Sequence, residues 1–483
     1  MLLLAAALFA LPAISPPDAA RIARDYRTHH EREIVAEFME LLAIPNLASD
    51  TPNIEKNAAA ISTMFARRGA TVQLLRVEGA PPLVYATLPA RNSKTTIAVY
   101  AHYDGQPVDP AQWATPPWQP VIKGEGGEAR LYARSASDDK APIMAMLAAL
   151  DALRSAKAAP AVNLKFVFEG EEEAGSPHLA AYFDRYPKEL AADAWLLCDG
   201  PVHQSRRMQL YFGARGVTDL EMTVYGPSRA LHSGHYGNWA PNPIVTLTHL
   251  IDSMRDTDGK ILITGFYDDI VPLTDLERDA LAAIPNIDHD LERELALGRV
   301  EGSGKSLNEL ILLPALNLRG ILGGHVGSQA SNTISTEAQA SIDFRLVPAQ
   351  TPDKVREQVE RHIAGQGFFI VRDTPDAATR MAHPNVVKLV WGPGYPAART
   401  SMEAPISRRI ANVLSEAMGV APYQLPSLGG SVPMYLFQRN GTPVVGFPIV
   451  NHDNNQHAAN ENVRMQNLWD GIDMFAALFT NLR

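Results

Sequence analysis

A run of three glutamates follows directly after an apolar segment and limits what this part of the chain can form. Residues 162–168 have the sequence VNLKFVF, which predicts a buried β-strand. The octapeptide EGEEEAGS follows at 169–176, so its carboxylates lie where a strand ends and the chain turns. Adjacent carboxylates repel one another, and burying them is costly unless a cation neutralises them. The run is therefore either a solvated acidic loop or part of a cation site.

Length and composition indicate a globular chain of more than one domain. The 483 residues exceed what one simple core holds, so two or more domains are expected. The hydrophobic fraction of 46% and the charged fraction of 20% are ordinary for globular proteins. The net charge of -10 and the lack of a Lys/Arg run argue against a nucleic-acid partner. The single cysteine, Cys198, excludes an internal disulfide and a cysteine-built zinc site.

The first residues predict export. Residues 1–14 are apolar and uncharged, and they are too short for a membrane-spanning helix, which needs about 20 residues. They resemble the apolar core of a secretory signal, although the usual positive charge before that core is missing. We therefore expect a signal-like segment at 1–20 and a periplasmic or secreted protein without a membrane span. A plain N-terminal helix of a cytoplasmic protein is the alternative.

Strands and helices alternate between residues 21 and 212. The apolar run 95–101 is typical of a strand that is covered on both faces. Together with the strands predicted at 162–168 and 194–198, it indicates a three-layer α/β domain. In such domains, ligands bind beyond the carboxyl ends of the strands. Carboxylates or histidines recur at four strand or helix ends: His102 with Asp104, Asp138 with Asp139, Glu171 to Glu173, and Asp199.

The pattern changes between residues 213 and 395 and then returns. The middle part predicts a small α+β domain, with strands at 217–225, 337–346 and 368–371 and helices at 243–254 and 352–364. From 396 the first pattern resumes, with a helix at 406–418, a strand at 444–447 and a helix at 465–482. We therefore expect residues 213–395 to be a domain inserted between the two parts, 21–212 and 396–483, of the first.

Five short motifs occur in an order that resembles a known family. They are HYDGQP at 102–107, SDDK at 137–140, EGEEEAGS at 169–176, Asp199, and QHAANEN at 456–462. In this order they resemble the co-catalytic zinc peptidases, which include carnosinase-like dipeptidases, glutamate carboxypeptidases, aminoacylases and succinyl-diaminopimelate desuccinylases. The first and third motifs are most similar to the dipeptidase branch. The resemblance implies a three-layer catalytic domain with an inserted, ferredoxin-like α+β domain that serves as lid and dimerisation domain.

The resemblance also implies a centre of two divalent metal ions. In it, His102 binds one ion, Asp138 bridges both, Glu173 and His457 complete one ion, and Asp199 completes the other. Histidine and carboxylate ligands without cysteine suit catalytic zinc, and they also admit manganese or cobalt.

Neighbouring acidic residues receive further roles from the resemblance. Asp104 would support the metal site from behind His102, and Glu172 would be the general base. Asp139 would be a neighbour and not a ligand. Independently of the resemblance, two aspartates at a helix start are also explained as a cap. We expect Glu171 to be a solvated bystander.

Matches in the inserted domain and beyond it imply substrate contacts. His232, in LHSG, would reach the active site of the partner subunit and bind the oxyanion, with Asn332 of SNTIS facing the same oxygen. Arg345, in DFRLVP, would hold the free carboxylate of the substrate by a forked contact. Gly430 and Ser431, in GGS at 429–431, would touch the same carboxylate. The alternative for Arg345 is an ordinary exposed arginine, and the alternative for His232 is a histidine in a surface turn.

We therefore expect a homodimeric, dinuclear metal-dependent hydrolase that cleaves small amides with a free carboxylate, most simply dipeptides. N-acyl or N-carbamoyl amino acids are the alternative substrates, because specificity depends on pocket shape and not on the metal ligands. A non-catalytic relative is a third hypothesis, and the presence of every ligand and of Glu172 argues against it.

Overall fold

The computed structural model describes residues 14–91 and 93–483, so most of the expected signal-like segment at 1–20 lies outside the described residues. The strands are β1 Thr71–Leu75, β2 Leu83–Leu88, β3 Thr96–His102, β4 Val121–Lys123, β5 Arg130–Tyr132, β6 Asn163–Glu169, β7 Ala194–Leu197, β8 Gln209–Tyr211, β9 Gly213–Ala214, β10 Gly216–Tyr225, β11 Leu231–His232, β12 Ala315–Leu322, β13 Thr333–Ile334, β14 Glu337–Leu346, β15 Phe369–Val371, β16 Val386–Trp391, β17 Ala398–Arg399, β18 Tyr423–Leu425, β19 Val444–Gly446 and β20 Asn462–Arg464. The helices are α1 Pro16–Leu42, α2 Thr51–Arg67, α3 Lys140–Ser155, α4 Leu179–Arg185, α5 Ser233–Tyr236, α6 Pro243–Met254, α7 Asp275–Ala282, α8 Asp288–Glu294, α9 Leu307–Leu310, α10 Pro352–Gly365, α11 Ala377–Ala382, α12 Pro405–Met418, α13 Met434–Phe437 and α14 Met465–Asn481.

The chain divides into two compact units. Unit 1 contains the residues up to Phe212 together with Thr400–Leu425 and Leu436–Arg483. Unit 2 contains Gly213–Arg399 and Pro426–Tyr435. The sequence pattern assigns 396–483 as a whole to the first domain, whereas the structure places the segment with Gly430 and Ser431 in unit 2.

Unit 1 is built on a mixed eight-stranded sheet. Its strand order is β1-β2-β6-β3-β7-β19-β8-β18. The central strands β6, β3, β7 and β19 are parallel, and β1 and β2 join one side in antiparallel pairing. The two apolar runs identified in the sequence form β3 and β6, which are neighbours. The carboxyl ends of β6, β3 and β7 therefore meet at one edge.

Aromatic contacts show that helices cover both faces of this sheet. Phe166 of β6 lies against Phe479 of α14, with ring centroids 5.7 Å apart. Trp195 of β7 lies against Phe183 of α4, with centroids 6.0 Å apart. The residues of β3 that pair with Phe166 and Trp195 are consecutive, so these two side chains point to opposite faces. The helix–sheet–helix arrangement confirms the predicted three-layer α/β domain.

Helix α1 begins at Pro16, close to the start of the described residues. The Ser15 side chain accepts a hydrogen bond from the backbone N–H of Asp18, and Pro16 occupies the first turn. Arg24 of α1 pairs with Asp473 of α14 at 2.8 Å. The first half of α1 is rich in charged residues and buries mainly alanines, which explains why its apolar pattern is weak. Within the described residues, every helix is too short or too polar to cross a membrane.

Unit 2 is a small α+β unit, as predicted. Its five-stranded sheet has the order β12-β14-β10-β16-β15. The strands β10 and β14 pair antiparallel along their full length. Alternate residues of both strands form one hydrophobic core with α6 and α10, represented by Met222, Ile342, Leu247 and Val359. Both helices therefore cover the same face of the sheet.

Candidate metal centre

Parallel strands bring the predicted metal ligands of unit 1 together. His102 ends β3, Glu173 lies in the turn after β6, and Asp199 lies just beyond β7. Because β6 and β7 flank β3, the three side chains start from one edge of the sheet. Asp138 directly precedes the α3 region, and His457 lies in the loop between β19 and β20. The structure thus joins residues that are far apart in the sequence.

Two groups of possible ligands share Asp138. His102, Asp138 and Asp199 place ligand atoms within 4.8 Å of one another, and so do Asp138, Glu173 and His457. Asp138 Oδ1 lies 3.0 Å from His102 Nε2, and Asp138 Oδ2 lies 3.1 Å from His457 Nε2. Glu173 Oε2 also lies 3.1 Å from His457 Nε2. Each oxygen of Asp138 therefore faces a different group, which is the arrangement that a bridging carboxylate requires.

The charges in this cluster fit a bound cation. Burial and the neighbouring Asp138 raise the pKa of Asp199 to about 6. Burial and Asp199 likewise raise the pKa of Glu172 well above its usual value. Carboxylates that disfavour each other's ionised form are stabilised when a positive charge lies between them. The nitrogen and oxygen donors are those that zinc, manganese and cobalt accept, so the residues fit a divalent metal site.

Asp104 contacts both His102 and the turn that carries Glu172 and Glu173. It is fully buried, and its Oδ1 lies 3.4 Å from His102 Nδ1, on the side of the ring away from Asp138. Its two oxygens also accept hydrogen bonds from the backbone N–H groups of Glu172 and Glu173, at 3.1 and 3.0 Å. A carboxylate behind a ligand histidine fixes the ring and increases its basicity. Asp104 therefore orients a predicted ligand and the predicted base together.

Glu461 is a site residue that the sequence analysis missed. Its fully buried carboxylate accepts hydrogen bonds from the backbone N–H groups of Ser137 and Asp138, at 3.0 and 2.9 Å, and pairs with Arg134 at 2.8 Å. These contacts hold the loop that carries Asp138. The available signal was its place in QHAANEN, the motif that also contains His457.

Two acidic neighbours, Glu171 and Asp139, belong to neither group of possible ligands. The prediction that Glu171 is solvated is wrong, because Glu171 is 5% exposed and its carboxylate lies 2.9 Å from His178 Nδ1. The turn after β6 directs it to this histidine. Asp139 is also buried, and its carboxylate accepts a hydrogen bond from the backbone N–H of His102 at 3.3 Å. Its side chain does not cap α3, so the helix-cap explanation does not apply to Asp139.

In unit 2, the structure brings His232 and Asn332 together. The short strands β11 and β13 pair, with His232 opposite Thr333. The backbone N–H of Ser233 donates to the backbone oxygen of Asn332 at 2.8 Å. His232 is exposed and is therefore accessible to a ligand or a partner.

Arg345 and Ser431 form a second group in unit 2. Arg345 Nη1 donates to Ser431 Oγ at 2.8 Å, and Gly430 directly precedes that serine. Arg345 Nε also donates to Asp343 at 3.1 Å. Arg345 lies near the end of β14, whereas Asn332 precedes the start of that strand at Glu337. At about 3.4 Å per residue, about 27 Å of strand separates Glu337 from Arg345.

Comparisons with known proteins agree with the family resemblance of the motifs. A family model described as peptidase family M20/M25/M40 matches residues 98–481. The chain is 27% identical to the human Beta-Ala-His dipeptidase, over 100% of this chain and 96% of that protein. It is 25% identical to the Cys-Gly metallodipeptidase dug1 of Schizosaccharomyces pombe, over 92% of this chain and 94% of that protein. The solved M20 family metallo-carboxypeptidase Sso-CP2 from Sulfolobus solfataricus matches with a TM-score of 0.78 and 27% identity, over 93% of this chain and 99% of that one.

The matched range includes all five motifs, from His102 to Asn462, and therefore the whole candidate metal centre. The resemblance drawn from the motifs is confirmed. The chain belongs to peptidase family M20/M25/M40.

Proposed function

We propose that this protein is a metal-dependent dipeptidase. The observation that carries the proposal is the pair of ligand groups that share Asp138, with Glu172 in the same turn as the ligand Glu173. Two curated relatives that match nearly the whole chain are named as dipeptidases, and they support the substrate class. We propose two divalent ions per chain, with zinc as the metal and manganese or cobalt as alternatives.

Glu172 is the proposed general base. Divalent ions at this site would lower the pKa of water and polarise the amide carbonyl. Glu172 would accept the proton of the attacking water and transfer it to the leaving nitrogen. Asp104 holds the backbone of Glu172. Burial raises the pKa of the Glu172 carboxyl, and a bound cation would oppose that rise, which keeps the carboxylate able to accept a proton.

Metal reconstitution with a substrate panel tests this function. Protein stripped with a chelator should lose dipeptide hydrolysis and regain it when zinc or manganese is added. The panel should compare dipeptides with N-acetyl and N-carbamoyl amino acids. Hydrolysis of the acylated amino acids alone would replace the proposed substrate class, and activity that survives complete metal removal would contradict the proposal.

Arg345 is the proposed binding group for the free carboxylate of the substrate, with Gly430 and Ser431 beside it. Its contacts with Asp343 and Ser431 fix the plane of the guanidinium. A fixed guanidinium binds a carboxylate through two parallel hydrogen bonds, which an ammonium group cannot do.

Replacing Arg345 by lysine should therefore raise KM for dipeptides by about tenfold to a hundredfold, with a smaller effect on kcat. Steady-state kinetics with a dipeptide and its C-terminal amide measure the effect. Arg372→Lys is the matched control, because Arg372 is also an arginine of unit 2 that pairs with an acidic residue, Glu360. Equal KM values for Arg345→Lys and Arg372→Lys would contradict this role.

We further propose a homodimer through unit 2. Strand β14 separates the pair His232 and Asn332 from Arg345, which is proposed to bind the substrate carboxylate. One dipeptide is too short to contact both places in the same protomer. One edge of the five-stranded sheet is formed by β12, which pairs only with β14 among the described strands. Its residues Ile321 and Leu322 are 52% and 66% exposed. An exposed apolar edge of this kind favours association with a second chain.

In this dimer, His232 of the partner subunit would bind the oxyanion, together with Asn332 of the partner subunit. Mixing two inactive variants, Glu172→Gln and His232→Ala, under conditions that exchange subunits should restore activity. Mixed dimers contain one intact site, so about a quarter of the wild-type activity is the expected upper limit. Sedimentation should show a dimer. A fully active monomer, or no recovery despite verified subunit exchange, would contradict the shared site.

Export is a separate proposal that rests on residues 1–14. Because α1 begins at Pro16 and buries Ala19 and Ala20, a cleaved segment should end before Pro16 and not at residue 20. The mass of the protein recovered from fractionated cells tests this. An uncleaved chain in the cytoplasmic fraction would support the cytoplasmic alternative.

A further inference from the structure

Unit 2 contains a cavity that the proposed mechanism does not use. Its volume is about 190 Å³, and apolar side chains form most of its wall, including Ile270, Leu273, Ile311, Leu312, Leu313 and Val347. A cavity of about 150 Å³ lined by such side chains is large enough for benzene. This cavity is therefore large enough for a side chain of the size of leucine or phenylalanine.

Several contacts connect the wall of the cavity to Arg345, the residue proposed to bind the carboxylate of the substrate. Val347 lies two residues beyond Arg345 in the chain. The backbone oxygen of Leu313 accepts a hydrogen bond from Arg215 Nη2 at 3.1 Å. Burial and, next, the charge of Arg345 lower the pKa of Arg215 to about 10.

The loop that carries Ser431 forms another side of the cavity. Ser427, four residues before Ser431, contributes to the wall. Ile311 packs under the same loop, since a Cβ atom on Gly429 would lie 3.1 Å from Ile311 Cδ1. The two groups that would hold a carboxylate, Arg345 and Ser431, are therefore each connected to the wall of the cavity.

The charge distribution of the wall favours an apolar occupant. Arg399 contributes to the wall, but its guanidinium pairs with Glu277. Lys305 and Glu309 are exposed. Ile311, Leu312 and Leu313 are only partly buried, so their apolar surface is in contact with water when the cavity is empty.

We propose that this cavity receives the side chain of the dipeptide's carboxyl-terminal residue and selects an apolar one. The inference rests on the proposed function, because it takes Arg345 as the carboxylate site. In an amino acid, the side chain and the carboxylate branch from one carbon atom, so the two bind close together. Val347 and Ser427 bring the wall of the cavity to the same two segments that carry Arg345 and Ser431, and the cavity is therefore the candidate site for that side chain. An apolar side chain that enters the cavity is removed from water, and it also covers the apolar surface of the three partly exposed wall residues.

A kinetic series tests the selection. With the metal-loaded protein, kcat/KM for Ala-Leu and Ala-Phe should exceed that for Ala-Gly and Ala-Asp by at least tenfold. The substitution Leu312→Trp fills the cavity, so it should lower kcat/KM for Ala-Leu at least tenfold and leave Ala-Gly within about twofold. The matched control is Leu262→Trp, at a leucine of unit 2 that is 44% exposed and is not among the wall residues, and it should preserve the preference. Equal rates for all four dipeptides, or an equal loss of Ala-Leu and Ala-Gly hydrolysis in Leu312→Trp, would overturn the inference.

A binding measurement separates this inference from the proposed function and does not depend on the folding of a variant. Calorimetry on the metal-loaded wild-type protein should show that leucine binds at least tenfold more tightly than glycine, and that leucine amide binds more weakly than leucine. Tighter binding of leucine with no hydrolysis of any dipeptide would uphold the pocket and contradict the dipeptidase function. Hydrolysis of dipeptides with equal binding of leucine and glycine would uphold the function and overturn the pocket.

Discussion

Replacing Glu172 by glutamine should lower kcat for dipeptide hydrolysis by about 10²–10⁴-fold and leave the metal content unchanged. Glutamine has the same shape as glutamate but cannot accept the proton of the attacking water. Asp104 would still hold the backbone of residue 172, because that contact involves only the backbone N–H. Steady-state kinetics and elemental analysis of the same sample give both quantities.

Glu171→Gln is the matched control for this prediction. Glu171 is adjacent in the sequence, but its carboxylate contacts His178 and belongs to neither ligand group. A glutamine at this position keeps an acceptor for the His178 ring, so kcat should change by less than about tenfold. Similar losses for Glu171→Gln and Glu172→Gln would show that the acidic turn acts as a whole, and would contradict a specific base.

Replacing Asp138 by asparagine should remove both metal ions. Asp138 is the one residue common to the two ligand groups, so the substitution weakens both at once. Supporting residues of metal sites typically change affinity by 10- to 100-fold, and we expect a shared ligand to exceed about 100-fold. Metal content after dialysis against a weak chelator, together with dipeptide hydrolysis, measures this loss.

Asp199→Asn is the comparison variant, because Asp199 belongs to only one of the two groups. It should lose one ion and keep the ion between Glu173 and His457. Retention of two ions by Asp138→Asn, or equal metal loss in both variants, would contradict the bridging role.

The proximity of three candidate ligands, His102, Glu173 and Asp199, was predictable because each follows an apolar run that predicts a strand, whereas the places of Asp138 and His457 came from the family resemblance alone. His102 and Asp199 follow runs that the sequence shows to be buried, and parallel pairing of β3 and β7 then brings them to one edge. The position of Glu461 was not predictable in this way. Its partners Arg134 and Ser137 are more than 300 residues away, and only the folded chain brings them together.

The solvent exposure of individual residues was harder to predict from the sequence, as Glu171 and strand β12 show. The sequence indicated a solvated Glu171, but the turn after β6 pairs it with His178, seven residues on. The strands β12 and β16 of unit 2 were missed, and in β12 the reason is physical. Most of its residues are exposed or partly exposed, so burial imposes no alternation of apolar and polar residues on them.

The bridged metal pair is tested most directly by anomalous diffraction at the zinc edge from crystals of the zinc-loaded protein. We expect two peaks in unit 1, one within bonding distance of His102 and Asp199 and one within bonding distance of Glu173 and His457, with Asp138 contacting both. No peak at these residues, or a zinc peak that does not involve Asp138, would contradict it.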